Sequence, residues 1–317
     1  MSDHRRYPLL VILGPTASGK TALAANIAFK CRGEVISADS RQVYRDMNLG
    51  TGKDYADYLI EDHAIPVHLL DIVPAGEKYN VFEFQKDFWR IYPEIYYRNN
   101  LPILCGGSGL YIDAVIHDYQ LVQVPINPEL RKNLEEKSID ELVAILSKLR
   151  KLHNKSDISE KKRLIRAIEI AMYEMEYGQP PEQEIKLKTI VFGMQTELNF
   201  RRKKITSRLH SRLKAGMVDE VKALLNKGIT ADQLIYYGLE YKFITQYISG
   251  MLKYEEMVSL LNIAIHQFAK RQMTWFRKME KEGTEIHWLD ATESPLNNTE
   301  IVIDLLRKHD EFSGFLY

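Results

Sequence analysis

The stretch GPTASGKT, residues Gly14–Thr21, fits the pattern G-x-x-x-x-G-K-[ST] of a loop that binds phosphate. It follows the apolar run YPLLVIL (Tyr7–Leu13), which predicts a buried strand, and leads into TALAANIAFK (Thr21–Lys30), which predicts a helix. In this context glycines let backbone N–H groups converge on phosphate oxygens, and the helix N-terminus adds partial positive charge. The motif therefore predicts a site for a di- or triphosphate, in which Lys20 supplies a charge and the Thr21 hydroxyl can bind Mg²⁺.

Short apolar runs and helical patterns alternate after this loop. Further strands are predicted at Glu34–Ala38, Val67–Ile72 and Leu101–Cys105, with a helix over Tyr79–Tyr97. Strands that alternate with helices predict a parallel sheet with helices on its faces. Together with the phosphate loop, this pattern predicts a P-loop NTPase-like α/β fold.

Strand patterns almost disappear between His117 and Leu187. This region holds the helical patterns Glu129–Leu152 and Ser159–Met175 and a polar, proline-bearing exit at Gly178–Lys188. Strands are predicted again at Thr189–Met194 and Glu285–Leu289, with helices at about Asn199–Lys227 and Tyr254–Lys281. We therefore predict an α/β core formed by residues 1–116 and 188–317, interrupted by a helical insertion at 117–187.

Composition excludes several classes of protein. The longest apolar runs are far shorter than a membrane span, and no secretory signal precedes the first strand, which predicts a cytoplasmic protein without membrane contact. Cys31 and Cys105 lack metal-type spacing and are predicted to be reduced thiols. Lys plus Arg equals Asp plus Glu at 43 each, which argues against a nonspecific polyanion binder. Basic residues nevertheless cluster at residues 161–166, 201–214 and 270–278, so the zero net charge does not exclude a local basic face that binds nucleic acid.

Asp39 follows the second predicted strand, at the carboxyl edge of the sheet, where open α/β sheets bind ligands. A carboxylate there can accept a proton or hydrogen bond from a substrate amine or hydroxyl. It can equally cap the following helix or bind a water ligand of a magnesium ion. The residues alone leave these roles open, and they also leave open whether the loop serves a kinase, a hydrolase or a transferase.

Five segments in a fixed order resemble the tRNA dimethylallyltransferases, also called tRNA isopentenyltransferases. They are GPTASGKT, SADSRQVYRDMNLGTGK (Ser37–Lys53), GGSGLYIDAV (Gly106–Val115), KRLIRAIE (Lys162–Glu169) and AKRQMTWFR (Ala269–Arg277). The resemblance covers nearly the whole chain. It implies transfer of a dimethylallyl group from dimethylallyl diphosphate to N6 of the adenosine immediately 3′ of the anticodon, in tRNAs that read codons beginning with U.

The resemblance also implies roles for individual residues. Asp39, Thr16, Lys20 and Arg208 would be catalytic, Asp39 by hydrogen-bonding the acceptor amine and Arg208 by reaching the diphosphate, with Arg212 as the alternative arginine. The diphosphate would be bound by Gly14, Pro15, Thr16, Ala17, Ser18, Gly19, Lys20 and Thr21, with Mg²⁺ as cofactor at Thr21.

A larger set is implied to contact the anticodon stem-loop of tRNA. Its members are Asp39, Ser40, Arg41, Gln42, Ser108, Arg131, Lys162, Arg163, Leu164, Ile165, Arg166, Lys242, Lys270, Arg271, Gln272, Trp275 and Arg277. The side-chain amides of Gln42 and Gln272 can hydrogen-bond base edges, and Trp275 can stack on an unpaired base or pack in the core. The segment 162–166 also fits a solvated helix face.

The chain departs from the family pattern at Glu240, Phe243, Ile265, His266 and Phe268, which affects the expected tRNA contacts. An adenylate isopentenyltransferase acting on free AMP, ADP or ATP, a P-loop small-molecule kinase and a noncatalytic RNA-binding protein remain alternatives. The helical insertion and the segment at residues 270–277 favour an RNA acceptor. A monomer is expected because no heptad pattern is present.

Overall fold

The computed structural model describes residues 6–150, 160–178 and 185–316. The chain divides into two compact units, which we call the core unit (Met1–His117 and Ile185–Tyr317) and the insertion unit (Asp118–Glu184). Three parts of the predicted pattern lie outside the described residues. They are the end of the first predicted insertion helix at residues 151–152, the start of the second at Ser159, and residues 179–184 of the proline-bearing exit.

The strands of the core unit are β1 (Arg6–Leu13), β2 (Gly33–Ala38), β3 (Leu59–Ile60), β4 (His63–Ala64), β5 (Val67–His68), β6 (Leu101–Gly106), β7 (Lys186–Gln195) and β8 (Ile286–Asp290). Six of them form one sheet in the order β5-β2-β6-β1-β7-β8, and β3 pairs with β4 as a separate hairpin. All pairings in the large sheet are parallel, which confirms the predicted α/β fold class.

The helices are α1 (Lys20–Lys30), α2 (Val81–Tyr97), α3 (Gly109–Ile116), α4 (Pro128–Glu135), α5 (Ile139–Leu149), α6 (Lys161–Tyr177), α7 (Leu198–Lys214), α8 (Met217–Asn226), α9 (Ala231–Tyr236), α10 (Leu239–Ile248), α11 (Tyr254–Lys281), α12 (Pro295–Leu306) and α13 (Asp310–Ser313). Helices α4, α5 and α6 belong to the insertion unit, and the others belong to the core unit.

The central strands are buried on both faces, which explains why their sequences are continuous apolar runs. Every residue of the segment Leu9–Leu13 in β1 is fully buried. The strand predicted at Val67–Ile72 was wrong in length, because only Val67–His68 is extended. Leu69 and Asp71 have φ angles of 64° and 53°, and this left-handed conformation ends the strand.

Two predicted helices are each split by a local signal. Gly216, with a φ of 100°, separates α7 from α8, so the helix predicted over 199–227 is two helices. In the insertion unit Ser138 caps α5: its hydroxyl accepts the Glu141 N–H, and the Glu141 side chain accepts the Ser138 N–H. This capping box starts a new helix inside the pattern predicted at Glu129–Leu152.

Each unit has its own apolar core. The insertion unit packs Leu134, Leu142, Leu146, Leu164 and Ile168 together, and each is at most 4% exposed. In the core unit Cys31 and Cys105 are free and buried, and burial raises the pKa of the Cys105 thiol to about 12. Within the described ranges, none of the helices is both long enough and apolar enough to cross a bilayer.

Candidate active site

Three neighbouring strands bring the predicted site residues to one edge of the sheet. Strands β2, β6 and β1 lie side by side and are parallel, so the segments after them, beginning at Asp39, Gly107 and Gly14, meet at their carboxyl ends. The Ser40 N–H donates to the Ser108 Oγ at 3.0 Å, which ties the segment after β2 to the segment after β6. A cavity of about 340 Å³ opens at this edge, and it is lined by Thr16–Thr21 and Asp39–Gln42.

The phosphate loop ends at the N-terminus of α1. Gly19 is the N-cap residue, and its φ of 82° favours glycine. The backbone of Gly14 packs against the Ser18 side chain within the loop, because a Cβ added at Gly14 would lie 2.7 Å from the Ser18 Oγ. Burial lowers the pKa of the Lys20 ammonium; Arg208 and Arg212 lower it further, whereas Cys105 and Asp39 oppose the shift. Lys20 is therefore a partly desolvated cation that an anionic ligand would stabilise.

Asp39 lines the same cavity as the phosphate loop. Its Oδ1 accepts the Arg41 N–H at 2.9 Å, which orients the carboxylate. The Arg41 guanidinium lies 5.4 Å from the ring centroid of Tyr236, a cation–π contact that holds it at the cavity wall. Asp39 is thus placed to accept a hydrogen bond from a group that enters the cavity.

Helix α7 brings two arginines to the cavity. The Arg208 Nη1 lies 3.4 Å from the Thr16 Oγ1, and its Nη2 donates to Asp54 at 3.0 Å. Arg212 donates to the same Asp54 carboxylate at 3.0 and 3.1 Å. The structure therefore brings together the predicted arginine, its alternative and the phosphate loop.

Gln272 lies at the cavity and is engaged within the protein. It was expected to contact tRNA, but its side chain is buried, with 7% of the residue exposed. Its Oε1 accepts the Thr16 N–H at 2.9 Å, and its Nε2 donates to the Gly107 carbonyl at 2.9 Å. Both ends of the amide are occupied, so we interpret Gln272 as a brace between the phosphate loop and the segment after β6.

Gln42 is also engaged within the protein. Its Nε2 donates to the Gly52 carbonyl at 3.0 Å, and the Ser37 hydroxyl lies 3.4 Å from its Oε1. Its amide therefore stabilises the loop that contains Gly52. A contact of this amide with a base edge requires that these hydrogen bonds be exchanged.

The arginines predicted in the insertion unit surround one buried carboxylate. Glu169 is 2% exposed and accepts hydrogen bonds from Arg131 at 2.7 and 3.0 Å and from the Asn127 N–H at 2.7 Å. Arg166 also pairs with Glu169 and donates to the Val124 carbonyl at 2.9 Å. Burial raises the pKa of Glu169, but these donors outweigh it and lower the pKa to about 2. Arg131 and Arg166 therefore have a structural role, and contact with tRNA stays a prediction for their exposed parts.

The predicted segment Lys162–Arg166 is divided between core and surface. Leu164 and Ile165 are 0% and 4% exposed, so their side chains pack in the core of the insertion unit, and contact of these two residues with tRNA stays a prediction. The helical period that turns Lys162 and Arg163 to solvent turns these two residues inward.

On α11 the predicted cations are exposed: Lys270, Arg271 and Arg277 all face solvent. Trp275 packs against α3, since a Cβ added at Gly109 would lie 2.4 Å from its Cδ1. Lys242 is half-buried beside the Phe243 ring. Stacking of Trp275 on a base is therefore less favoured than packing, and the contacts of the cations with tRNA stay predictions.

Sequence reasoning missed several residues that line the cavity. They are Gly50, Thr51, Gly52, Asp54, Asp57, Tyr237, Gly238, Leu239, Glu240, Ile265 and Phe268. Asp54 directly follows the quoted segment that ends at Lys53, and that adjacency could have indicated it. Phe268 is 40% exposed beside Arg271, at 5.9 Å from ring centroid to guanidinium, and offers an apolar face at the cavity.

The donor set fits the magnesium site that the motif predicts. Mg²⁺ usually keeps several waters and takes few protein ligands when it accompanies a phosphate group. Thr21 lines the cavity at the start of α1 and supplies one hydroxyl. Among the described residues, no group of three His, Cys, Asp or Glu side chains is placed to hold a metal ion.

Comparison with protein families gives two matches. The family model for IPP transferase matches residues 42–279, and that for isopentenyl transferase matches residues 7–65. The chain is 54% identical over 288 residues to tRNA dimethylallyltransferase 1 of Parabacteroides distasonis, covering 91% of this chain and 94% of the relative. It is 53% identical over 301 residues to tRNA dimethylallyltransferase 2 of Phocaeicola vulgatus, covering 95% and 98%.

Solved structures agree with the observed fold. The tRNA isopentenylpyrophosphate transferase from Bacillus halodurans matches with a TM-score of 0.71 and 30% identity, over 97% of both chains. A eukaryotic dimethylallyltransferase acting on tRNA matches with a TM-score of 0.75 and 22% identity, over 94% of this chain and 79% of that one. The second likeness bears on the fold alone.

Proposed function

The chain belongs to the IPP transferase family, and from that premise we propose that it is a tRNA dimethylallyltransferase. The reaction is transfer of the dimethylallyl group from dimethylallyl diphosphate to N6 of the adenosine immediately 3′ of the anticodon, in tRNAs that read codons beginning with U. The products are N6-(dimethylallyl)adenosine and diphosphate. The single observation that carries the proposal is that the phosphate loop, Asp39 and Arg208 line one cavity.

The phosphate loop and Arg208 stabilise the leaving group. When the allylic C–O bond breaks, the bonding electron pair leaves with the diphosphate, and the carbon fragment becomes a delocalised cation. Backbone N–H groups at the start of α1, Lys20 and Arg208 are fixed in place before the bond breaks, so they stabilise the charge that develops on the diphosphate. Thr16 helps to hold Arg208, whose Nη1 lies 3.4 Å from its hydroxyl.

Thr21 would bind a Mg²⁺ ion, which neutralises part of the negative charge of the diphosphate when it is bound. The support for this proposal is the position of the Thr21 hydroxyl in the cavity, at the first turn of α1. Dependence of activity on the metal is tested by titrating EDTA and then restoring MgCl₂. Retention of full activity in EDTA would contradict it.

Asp39 accepts the proton of the acceptor. The lone pair of an adenine N6 amine is shared with the purine ring, so the amine is a weak nucleophile. Asp39 would hydrogen-bond this amine, orient it towards the allylic carbon and take up the proton as the new C–N bond forms. The Arg41 N–H at 2.9 Å keeps the carboxylate oriented for this role.

The acceptor base must reach the cavity from an RNA loop. Enzymes that modify a base take it out of its stack and into a pocket. Arg271 and Phe268 line the cavity and are exposed, so they are placed to meet a phosphate and the face of an unstacked base, respectively. We also propose that the insertion unit contacts the anticodon stem-loop and that the protein acts as a cytoplasmic monomer.

The test is transfer of label from dimethylallyl diphosphate to unmodified tRNA in the presence of MgCl₂. We expect one labelled adenosine per tRNA, next to the anticodon. A tRNA in which that adenosine is replaced by guanosine is the control and should take up no label. Absence of label from RNA under these conditions would reject the proposed function.

An adenylate isopentenyltransferase is the nearest alternative, since it uses the same donor and acceptor amine. Competition between AMP and tRNA for the labelled donor separates the two, and we expect label in RNA. A small-molecule kinase would instead consume ATP and release ADP as its substrate is phosphorylated. A noncatalytic RNA-binding protein would bind tRNA without turning over the donor.

A further inference from the structure

Helix α7 places a second arginine beside Arg208, four residues further on and thus on the same helix face. The proposed function assigns a role to Arg208 and none to Arg212. Arg212 is the more buried of the two, with 14% of its side chain exposed against 29% for Arg208. It lines the cavity and lies close enough to Lys20 to contribute to the lowered pKa of that ammonium, after burial.

Both guanidinium groups rest on the backbone of Gly52. A Cβ added at this residue would lie 2.7 Å from the Arg208 Nη2 and 2.7 Å from the Nη1 and Nη2 of Arg212. The φ of Gly52 is +78°, which also favours glycine. The Gly52 carbonyl accepts from the Arg208 Nη2 at 3.3 Å. Any other residue at position 52 would displace the two arginines from their present positions.

Asp54 joins the two guanidinium groups from the side. It accepts from Arg208 at 3.0 Å and from Arg212 at 3.0 and 3.1 Å. Asp54 is the carboxylate that contacts both guanidinium groups, and Asp57 and Glu240 act on Arg208 as further negative charges. Burial and the neighbouring Arg212 lower the pKa of Arg208, as expected for two cations held close together out of water.

The loop that carries Gly52 and Asp54 is also held by contacts with α8 and with Asp71. The Glu220 carboxylate on α8 accepts the N–H groups of Asn48, Leu49 and Gly50 at 2.9, 2.8 and 3.0 Å. The Lys53 ammonium is buried and pairs with Asp71. Because both anchors are in the same short loop, the positions of Gly52 and Asp54 are set before a ligand enters.

The formal charges of the cavity lining favour an anion. The carboxylates that line the cavity are Asp39, Asp54, Asp57 and Glu240, and the cationic side chains are Lys20, Arg41, Arg208, Arg212 and Arg271. The formal charge of this lining is one positive charge with Arg212 and zero without it, so Arg212 strengthens the attraction of the cavity for an anion. Arg208 and Arg212 thus add two cations to Lys20 of the phosphate loop in the lining of one cavity.

We propose that Arg212 is a second diphosphate-binding residue and that Asp54 is a positioning residue, which holds the guanidinium groups of Arg208 and Arg212 against Gly52 and towards the phosphate loop. This proposal rests on the proposed function in that the diphosphate is the one released from the isoprenoid donor. Two charge-assisted contacts from neighbouring guanidinium groups bind a diphosphate more tightly than one.

The probe is inorganic diphosphate with MgCl₂, titrated into the whole protein by calorimetry without isoprenoid or tRNA. Arg212→Gln should weaken binding by about tenfold or more, the loss expected for hydrogen bonds to a charged group. Arg202→Gln is the matched control, since it is the same substitution at an exposed position of the same helix, and its affinity should stay within about twofold, as for an ordinary surface change. Equal affinity of Arg212→Gln and the unmutated protein, with both folded by circular dichroism, would overturn the role of Arg212.

Asp54→Asn separates positioning from charge. Removal of a negative charge alone predicts tighter binding of diphosphate, whereas loss of positioning predicts weaker binding. We expect weaker binding and a rise in the KM for dimethylallyl diphosphate that exceeds the fall in kcat. The further loss caused by Arg212→Gln should be smaller in the Asp54→Asn protein than alone. Tighter binding by Asp54→Asn would overturn the positioning role.

The calorimetry also distinguishes this proposal from the proposed function. If Arg212→Gln weakens diphosphate binding and the unmutated protein fails to prenylate tRNA, the proposed function fails and the arginine assignment stands. If the unmutated protein prenylates tRNA and Arg212→Gln binds diphosphate normally, only the assignment fails.

Discussion

Replacement of Gln272 by methionine should destabilise the protein and weaken donor binding, because Gln272 braces the phosphate loop. Methionine has a similar volume, but it can neither accept the Thr16 N–H nor donate to the Gly107 carbonyl, which are bonds of 2.9 Å each. A buried group left without a partner costs about 1–3 kcal/mol. Thr16 lines the cavity, where water can replace the lost acceptor, so we take the lower half of that range for it. The expected loss of unfolding free energy is therefore about 2–5 kcal/mol.

Urea unfolding measures this loss, and steady-state kinetics measure its effect on the site. We expect the KM for dimethylallyl diphosphate to rise, because Thr16 belongs to the loop and its hydroxyl contacts Arg208. Gln267→Met is the matched control: it is the same substitution on the same helix at an exposed position, and it should change stability by less than about 0.5 kcal/mol. If Gln272→Met keeps full stability and raises only the KM for tRNA, the residue contacts RNA and the brace interpretation is refuted.

Three further outcomes are expected. Asp39→Ala should abolish transfer, because the acceptor amine loses its proton acceptor. The affinity for inorganic diphosphate, measured by calorimetry, should stay within about threefold, as for a residue outside the diphosphate contacts. Unchanged turnover would remove Asp39 from the mechanism. Lys20→Met should stabilise the ligand-free protein at neutral pH, because burial lowers the pKa of the Lys20 ammonium, and it should abolish the stabilisation of the protein by diphosphate. The difference in melting temperature between the variant and the unmutated protein should shrink as the pH rises towards 10.5, the ordinary pKa of a lysine. A difference that grows with pH would contradict this. Glu169→Gln should cost the insertion unit about 3 kcal/mol, the lower end for a broken buried pair, because Arg131 and Arg166 stay partly exposed. The Glu169 pKa of about 2 lies below the ordinary 4.5, so its contribution is present above pH 4.5 and is lost as the pH falls towards 2. Amide hydrogen exchange of Lys161–Tyr177 measures it, and unchanged protection would count against the role of Glu169.

The sequence predicted the parts of the site that depend on local pattern. A strand, a glycine-rich loop and a helix in direct succession specify the phosphate loop, and the end of the next strand specifies Asp39. The parallel α/β fold followed from the alternation of apolar runs with helical patterns. These features could be predicted because each is fixed by residues close together in the chain.

The remaining features depend on contacts between distant segments. Gln272 looked like a polar residue in a basic, aromatic segment, but its burial is decided by the packing of α11 against the segments after β1 and β6. The assembly of Arg208, Arg212, Gly52 and Asp54 joins α7 to a loop about 150 residues earlier, with a separation of 154 between Arg208 and Asp54. Spacing along the sequence carries no information about such a contact.

The central claim is that the phosphate loop stabilises a leaving diphosphate while Asp39 holds the acceptor amine beside the allylic carbon. Its most direct test is a crystal structure of the Asp39→Asn protein with an unreactive analogue of dimethylallyl diphosphate, Mg²⁺ and an unmodified anticodon stem-loop. We expect the adenosine to lie outside its stack, with N6 about 3 Å from the side chain at position 39 and the diphosphate against residues 14–21. An N6 amine far from position 39, or a diphosphate bound away from the loop, would contradict the account.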